Sequence, residues 1–228
     1  MTSKKTLLKA LENATPALDR VRATGKVQGL ERAIQDGLFE TFGPDALQEQ
    51  SLAKFGGIPA FPGPKNGRID IVYPGEKLHR GVELKAVKLP RDKSAPSNAL
   101  YDIGQLTVDY ARISLAEKLE GGELVVLVYG PFVEALEEDA LLRELHNHFF
   151  LDYETSRRFG QLHPDYLKEE PSDHLEQRIH QITVIKALGW NVPYTRGANR
   201  ATLAKLGSYA LVSFPIDKSR WAKAKRGA

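Results

Sequence analysis

Asp70, Glu83 and Lys85 are the residues whose types and spacing most directly suggest chemistry in this chain. Asp70 lies in Arg68-Ile-Asp-Ile-Val-Tyr73, and Glu83-Leu-Lys85 follows closely after it. Two carboxylates brought together repel unless a cation sits between them, and hard oxygen ligands of this kind suit Mg²⁺. A lysine beside that cation can orient a water, or stabilise charge growing on a phosphate oxygen. The set points to metal-dependent attack of water on a phosphodiester. The plainer alternative is two half-exposed strands with solvated charges, because Glu-x-Lys is a short motif.

The elements that must position these groups can be read from local pattern. Both segments are rich in β-branched and aromatic residues, with Gly67 before, Pro74-Gly75 between and Pro90 after, so both read as short strands. Side chains alternate across a strand, which puts Arg68, Asp70 and Val72 on one face, and Glu83 with Lys85 on one face of the next. A hairpin then gathers two carboxylates and an ammonium on one patch.

A third acid precedes them. From Gln28 to Gly43 the apolar residues Leu30, Ile34, Leu38 and Phe42 recur at i, i+4, which predicts a helix. At about 100° per residue, Glu31 falls roughly 40° from the centre of that stripe and is expected to face the core. A core-facing Glu is costly unless it is paired or binds a metal. Its two readings are a metal-site acid and a salt bridge to a buried Arg or Lys.

With these residues in place the sequence resembles the PD-(D/E)xK, or restriction-endonuclease-like, nuclease superfamily. That core runs helix, three strands, helix, strand, with an acid on the first helix, Asp on the second strand and (D/E)-x-K on the third. Glu31, Asp70, Glu83 and Lys85 match in order. The resemblance implies an α/β fold with a central mixed sheet and additional C-terminal helices, and a polar residue on the helix after the third strand, for which Gln105 is the candidate. It covers roughly residues 26–130. The chain is expected to form a single nuclease-like domain over 1–228, with a C-terminal extension from about 131. Two departures stand out: Ile69 replaces the Pro that names the family, and Asp109 stands where the RecB-like branch has Tyr, so that branch is not assigned.

The implied function is Mg²⁺-dependent hydrolysis of nucleic-acid phosphodiesters, with Mn²⁺ able to substitute and DNA endonuclease activity as the expected form. Asp70 and Glu83 would hold the principal cation, with the Leu84 carbonyl as a further ligand. Glu31 would complete the shell, directly, through water or at a second metal. Lys85 would position the attacking water. In-line attack would leave a 5′-phosphate and a 3′-hydroxyl. The alternative is a non-catalytic module on the same scaffold, binding DNA or a protein partner.

Composition is that of an ordinary globular protein, with no apolar run near the twenty or so residues that span a bilayer. With no cysteine, any metal must be held by oxygen or imidazole. Membrane association is not expected, and a cytoplasmic or nucleoid-associated location is. The net charge of +3 is unevenly spread: residues 131–175 carry four Lys/Arg against eleven acids, and residues 176–228 carry ten against two. Clustered basic charge is the footprint of phosphate-backbone binding. The tail places Arg220, Lys223 and Lys225 around Trp221, a mix that suits a nucleic-acid backbone with a stacking side chain, or else a solvated terminus. Lys65 and Arg68, at the end of a Gly/Pro-rich loop, and Lys88 are further candidates for nucleic-acid contact. The acidic stretch 131–175 is a candidate surface for a protein partner, and a homodimer is an expected arrangement because duplex cutters of this type often pair.

Other elements follow from pattern. Helices are expected at Thr6 to Leu11, at Ser97 to Leu119 with a stop at Gly121-Gly122, and at Phe132 to Phe150 and Asp173 to Gly189. Glu123 to Tyr129 reads as a buried strand and Ser208 to Phe214 as the last one. His146 and His148, two apart on a helix, would not chelate together.

Overall fold

Leu7, Ala10, Leu11, Ala14 and Leu18 form the buried stripe of the first helix, α1 (Lys4–Ala23). The structure, a computed structural model, describes residues 2–25, 29–56, 67–88, 109, 113–114, 116–142 and 201–216. Ser3 caps α1, its hydroxyl accepting the Thr6 N–H at 3.1 Å. The helix is longer than the expected Thr6 to Leu11 because it runs through Pro16. A proline removes one helical hydrogen bond, but Leu18 beyond it is fully buried, and that packing carries the helix onward. The second helix, α2 (Leu30–Phe42), starts after Gly29 and stops at Gly43, both with positive φ.

Six strands follow: β1 (Leu47–Ser51), β2 (Arg68–Pro74), β3 (His79–Lys88), β4 (Leu119–Tyr129), β5 (Thr202–Leu206) and β6 (Tyr209–Ile216). They form one sheet in the order β1-β2-β3-β4-β6-β5. β3 and β4 run parallel, while the other neighbours pair antiparallel. The protein is therefore an α/β structure built on a mixed sheet. Alternating side chains divide its interior into two layers. Ile71, Val82, Leu84, Val125 and Leu127 pack with α1 and α2. Val72, Val87, Leu124, Val126 and Val128 pack on the other side with Leu52, Phe55, Ile113, Val133 and Leu141. β4, nearly continuous in apolar residues, is covered on both faces.

Several boundaries differ from the sequence expectation, each for a local reason. Gly121-Gly122 does not end a helix; β4 begins earlier, at Leu119, and includes both glycines. A side chain at Gly122 would collide with the Gly81 carbonyl, so these glycines let β3 and β4 approach. The helix expected over Phe132 to Phe150 breaks early. A short α3 (Pro131–Ala135) ends at Leu136, whose backbone is extended, and residues 138–142 are helical again. Lys205 Nζ donates to the Glu134 and Leu136 carbonyls at 2.9 and 2.5 Å, capturing acceptors that a continuous helix would use. β6 extends two residues past Phe214. β1 and β5 have no counterpart in the expected elements: Leu47-Gln-Glu-Gln-Ser51 is mostly polar, as an edge strand with one neighbour can be. The helix expected at Asp173 to Gly189 lies outside the described residues. Among the described residues, no helix is long and apolar enough to cross a membrane.

The seam between α1 and α2 depends on Gly37. A Cβ there would sit 2.6 Å from the Ala10 carbonyl oxygen and 2.9 Å from Ala14 Cβ. Gly37→Ala should therefore cost about 1–3 kcal/mol by overpacking, although alanine is the better helix former by about 1 kcal/mol. Urea unfolding measures this, and a stabilised variant would show that the helices do not meet at this distance.

Candidate active site

The polar cluster lies where β2 and β3 part. Their ladder runs from Pro74↔His79 to Ile71↔Val82, and Asp70 and Glu83 come next beyond its end. There the Asp70 side chain supplies the cross-strand link: Leu84 N–H donates to Asp70 Oδ2 at 2.7 Å. Glu83 and Lys85 share their strand face with Val87, whereas the alternation of β2 breaks at Asp70: Ile69 packs in the same layer as Val72, and Ile71 packs in the opposite one. Asp70 is joined to the strand of Glu83 and Lys85 through the Leu84 N–H that lies between those two residues in sequence. Glu83 is 4% exposed, and the Lys85 side chain is also largely covered.

Burial pushes the Asp70 carboxyl up to about 7. The Leu84 N–H opposes that rise, while the negative charges of Asp109, Glu49 and Glu31 add to it. A carboxylate among like charges and short of water is one that a cation would stabilise.

Glu31 departs from its expected orientation. Its side chain is 48% exposed rather than core-facing. The close contact at Gly37 turns the buried face of α2 toward Ala33, Ile34, Gly37 and Leu38, which leaves Glu31 at the margin. From there it reaches the ends of the strands: Glu31 Oε1 lies 3.4 Å from Lys85 Nζ and accepts the Ala86 N–H at 3.1 Å. The helix acid and the strand lysine thus meet as an ion pair.

Three residues at the site were not singled out by pattern. Gln35, buried on α2, donates through Nε2 to Glu49 Oε1 at 2.9 Å and to the Asp70 carbonyl at 2.8 Å. Its only sequence signal is a position one step from Ile34 on the apolar flank. Glu49 belongs to the unanticipated β1. Asp109 is helical and 6% exposed, and its signal was the Tyr missing at that position. Of the candidates for nucleic-acid contact, Arg68 is exposed, with Nη1 3.8 Å from Glu49 Oε2, and Lys88 is exposed at the end of β3. Gln105, Lys65, Arg220, Trp221, Lys223 and Lys225 lie outside the described residues, as do His146 and His148.

Among the described residues, no group of three or more His, Cys, Asp or Glu is arranged to hold a metal ion. Glu31 is not brought together with Asp70 and Glu83 into such a group. The donor chemistry that is present, a carboxylate on each of two adjacent strands, fits Mg²⁺, which keeps several waters and commonly takes only one or two carboxylates plus a substrate phosphate. Comparisons of the chain with protein-family models, curated proteins and solved structures gave no match.

The Asp70 environment predicts a pH signature. Below the ordinary pKa of 3.8 the group is protonated in both folded and unfolded chains and contributes nothing. As pH rises toward 7 the unfolded chain ionises first, so the contribution turns against folding and is complete above the raised pKa. In chelator, Asp70→Asn should raise the melting temperature at pH 8 and leave it nearly unchanged at pH 4. Equal shifts at both pH values would show that Asp70 titrates normally.

Proposed function

We propose that this chain is a Mg²⁺-dependent nuclease that hydrolyses phosphodiester bonds, with DNA as the expected substrate. The observation that carries the reading is the Leu84 N–H bond to Asp70 Oδ2 where β2 and β3 part, which ties Asp70 to the strand that carries Glu83 and Lys85. The order of elements supports it as well. α2, the antiparallel run β1-β2-β3 and then β4 parallel to β3 follow the helix, three strands and final strand of the restriction-endonuclease-like core. Asp70 falls on the second of those strands and Glu83-Leu-Lys85 on the third, as in that superfamily.

In this mechanism Asp70 and Glu83 would hold the cation, which would offset the negative charge that builds on the attacked phosphate. The Leu84 N–H fixes the Asp70 carboxylate by binding one of its oxygens. Lys85, one strand repeat beyond Glu83, orients the attacking water and need not be neutral to do so. Glu31 holds the Lys85 ammonium in place through their 3.4 Å ion pair. The Lys85–Glu31 contact also gives the second reading its footing, because a non-catalytic module would keep such a pair for structure alone.

Cleavage of labelled duplex, branched and single-stranded substrates, with and without Mg²⁺, tests the proposal. Asp70→Asn should lower turnover at least about a hundredfold, as loss of a main electrostatic stabiliser does. Lys85→Ala should abolish turnover while leaving DNA affinity in Ca²⁺ nearly unchanged. Near wild-type turnover in either folded variant would overturn the assignment of that residue, and no cleavage by the wild-type chain would favour the binding module.

A further inference from the structure

Gln35 stands out on α2 because it is polar, 4% exposed and bonded to two different strands. Its Nε2 serves Glu49 Oε1 on β1 and the Asp70 main-chain carbonyl on β2. A carbonyl can only accept, so the NH₂ end of the amide must face the strands. The opposite end, Oε1, takes Arg32 Nη1 at 3.4 Å.

These contacts fall on an irregularity in the sheet. Pairing between β1 and β2 joins Gln48 to Ile71 and Gln50 to Ile69, and passes over Glu49 and Asp70. Glu49 there has φ of 52°, a left-handed backbone rare outside glycine, and the only such non-glycine among the described residues. Such a conformation persists where surrounding bonds hold it. The Gln35 amide is placed to do so, bridging the Glu49 side chain and the Asp70 carbonyl across the gap.

We infer that Gln35 is a positioning residue: it anchors the Asp70 backbone from the α2 side while the Leu84 N–H anchors the Asp70 carboxylate, so that Asp70 is held at both ends for cation binding. The geometry stands by itself, and its purpose rests on the nuclease reading. Groups one step removed from a metal commonly change its affinity about 10–100-fold when lost. Gln35 would act in that way through Asp70, touching neither cation nor substrate.

The test compares the full-length wild type with Gln35→Met, similar in volume but without donors, and Gln35→Asn, which keeps the amide but is one methylene too short. Mn²⁺ affinity is read by calorimetry, melting temperature in chelator, and kcat and KM on a labelled duplex at saturating Mn²⁺. The expected result is a folded Gln35→Met protein that binds Mn²⁺ about 10–100-fold more weakly, with KM for DNA within about twofold of wild type. Gln35→Asn should shift in the same direction, and decides the matter if Gln35→Met does not fold. Wild-type Mn²⁺ affinity in either folded variant would overturn the inference, as would failure of both to fold, which marks Gln35 as structural only. If the wild type binds and cleaves while the variants bind equally well, the inference fails and the nuclease reading survives. If the wild type binds no Mn²⁺, both fall.

Discussion

The Leu84 N–H bond to Asp70 Oδ2 replaces a backbone rung with a side chain at the place where β2 and β3 separate. It draws the carboxylate into a partly dry position, with Asp109, Glu49 and Glu31 close enough to add unfavourable charge. Parting strands leave backbone groups in need of partners, and a short acid satisfies one of them at the cost of holding charge out of water. A bound cation would resolve that conflict. The candidate chemistry therefore grows out of how the sheet ends its pairing, and the candidate ligands need no loop to carry them.

The rest of the fold holds that end of the sheet rigid. α2 can supply both Gln35 and Glu31 only because α1 and α2 are in close contact at Gly37, which sets the rotation of α2 over β1, β2 and β3. On the far side of the hairpin, Glu120 of β4 accepts the N–H groups of Glu76, Lys77 and Leu78, tying the β2–β3 turn to the parallel strand. β4 is buried on both faces and anchors β3 along ten residue pairs, so Glu83 and Lys85 project from a strand with little freedom to move. Sites carried on such elements keep their geometry better than sites on loops.

Legibility in the sequence followed the strength of the local signal. The strands carrying Asp70 and Glu83 could be read from alternation and their turn residues, and α2 from its i, i+4 stripe. Glu31 was misjudged because a helical wheel gives an angle relative to the apolar residues, whereas Gly37 decides which way the helix faces. β1 was invisible since a polar edge strand has no hydrophobic period, and with it went Glu49 and the partner that explains Gln35. The early break after α3 depends on Lys205, about seventy residues away in the chain, which no local pattern reports. Gly121-Gly122 read as a stop when its use is the close approach of two strands.

The central claim, that the parted end of β2 and β3 is a cation site, is tested most directly by paramagnetic broadening. Substoichiometric Mn²⁺ added to ¹⁵N-labelled protein should erase the amide signals of Asp70, Glu83 and Leu84 first. Those of Glu76, Lys77 and Leu78, at the turn end of the same hairpin, should remain. Loss centred instead on the acidic residues Glu134 to Asp139, or uniform loss across the spectrum, would contradict the account.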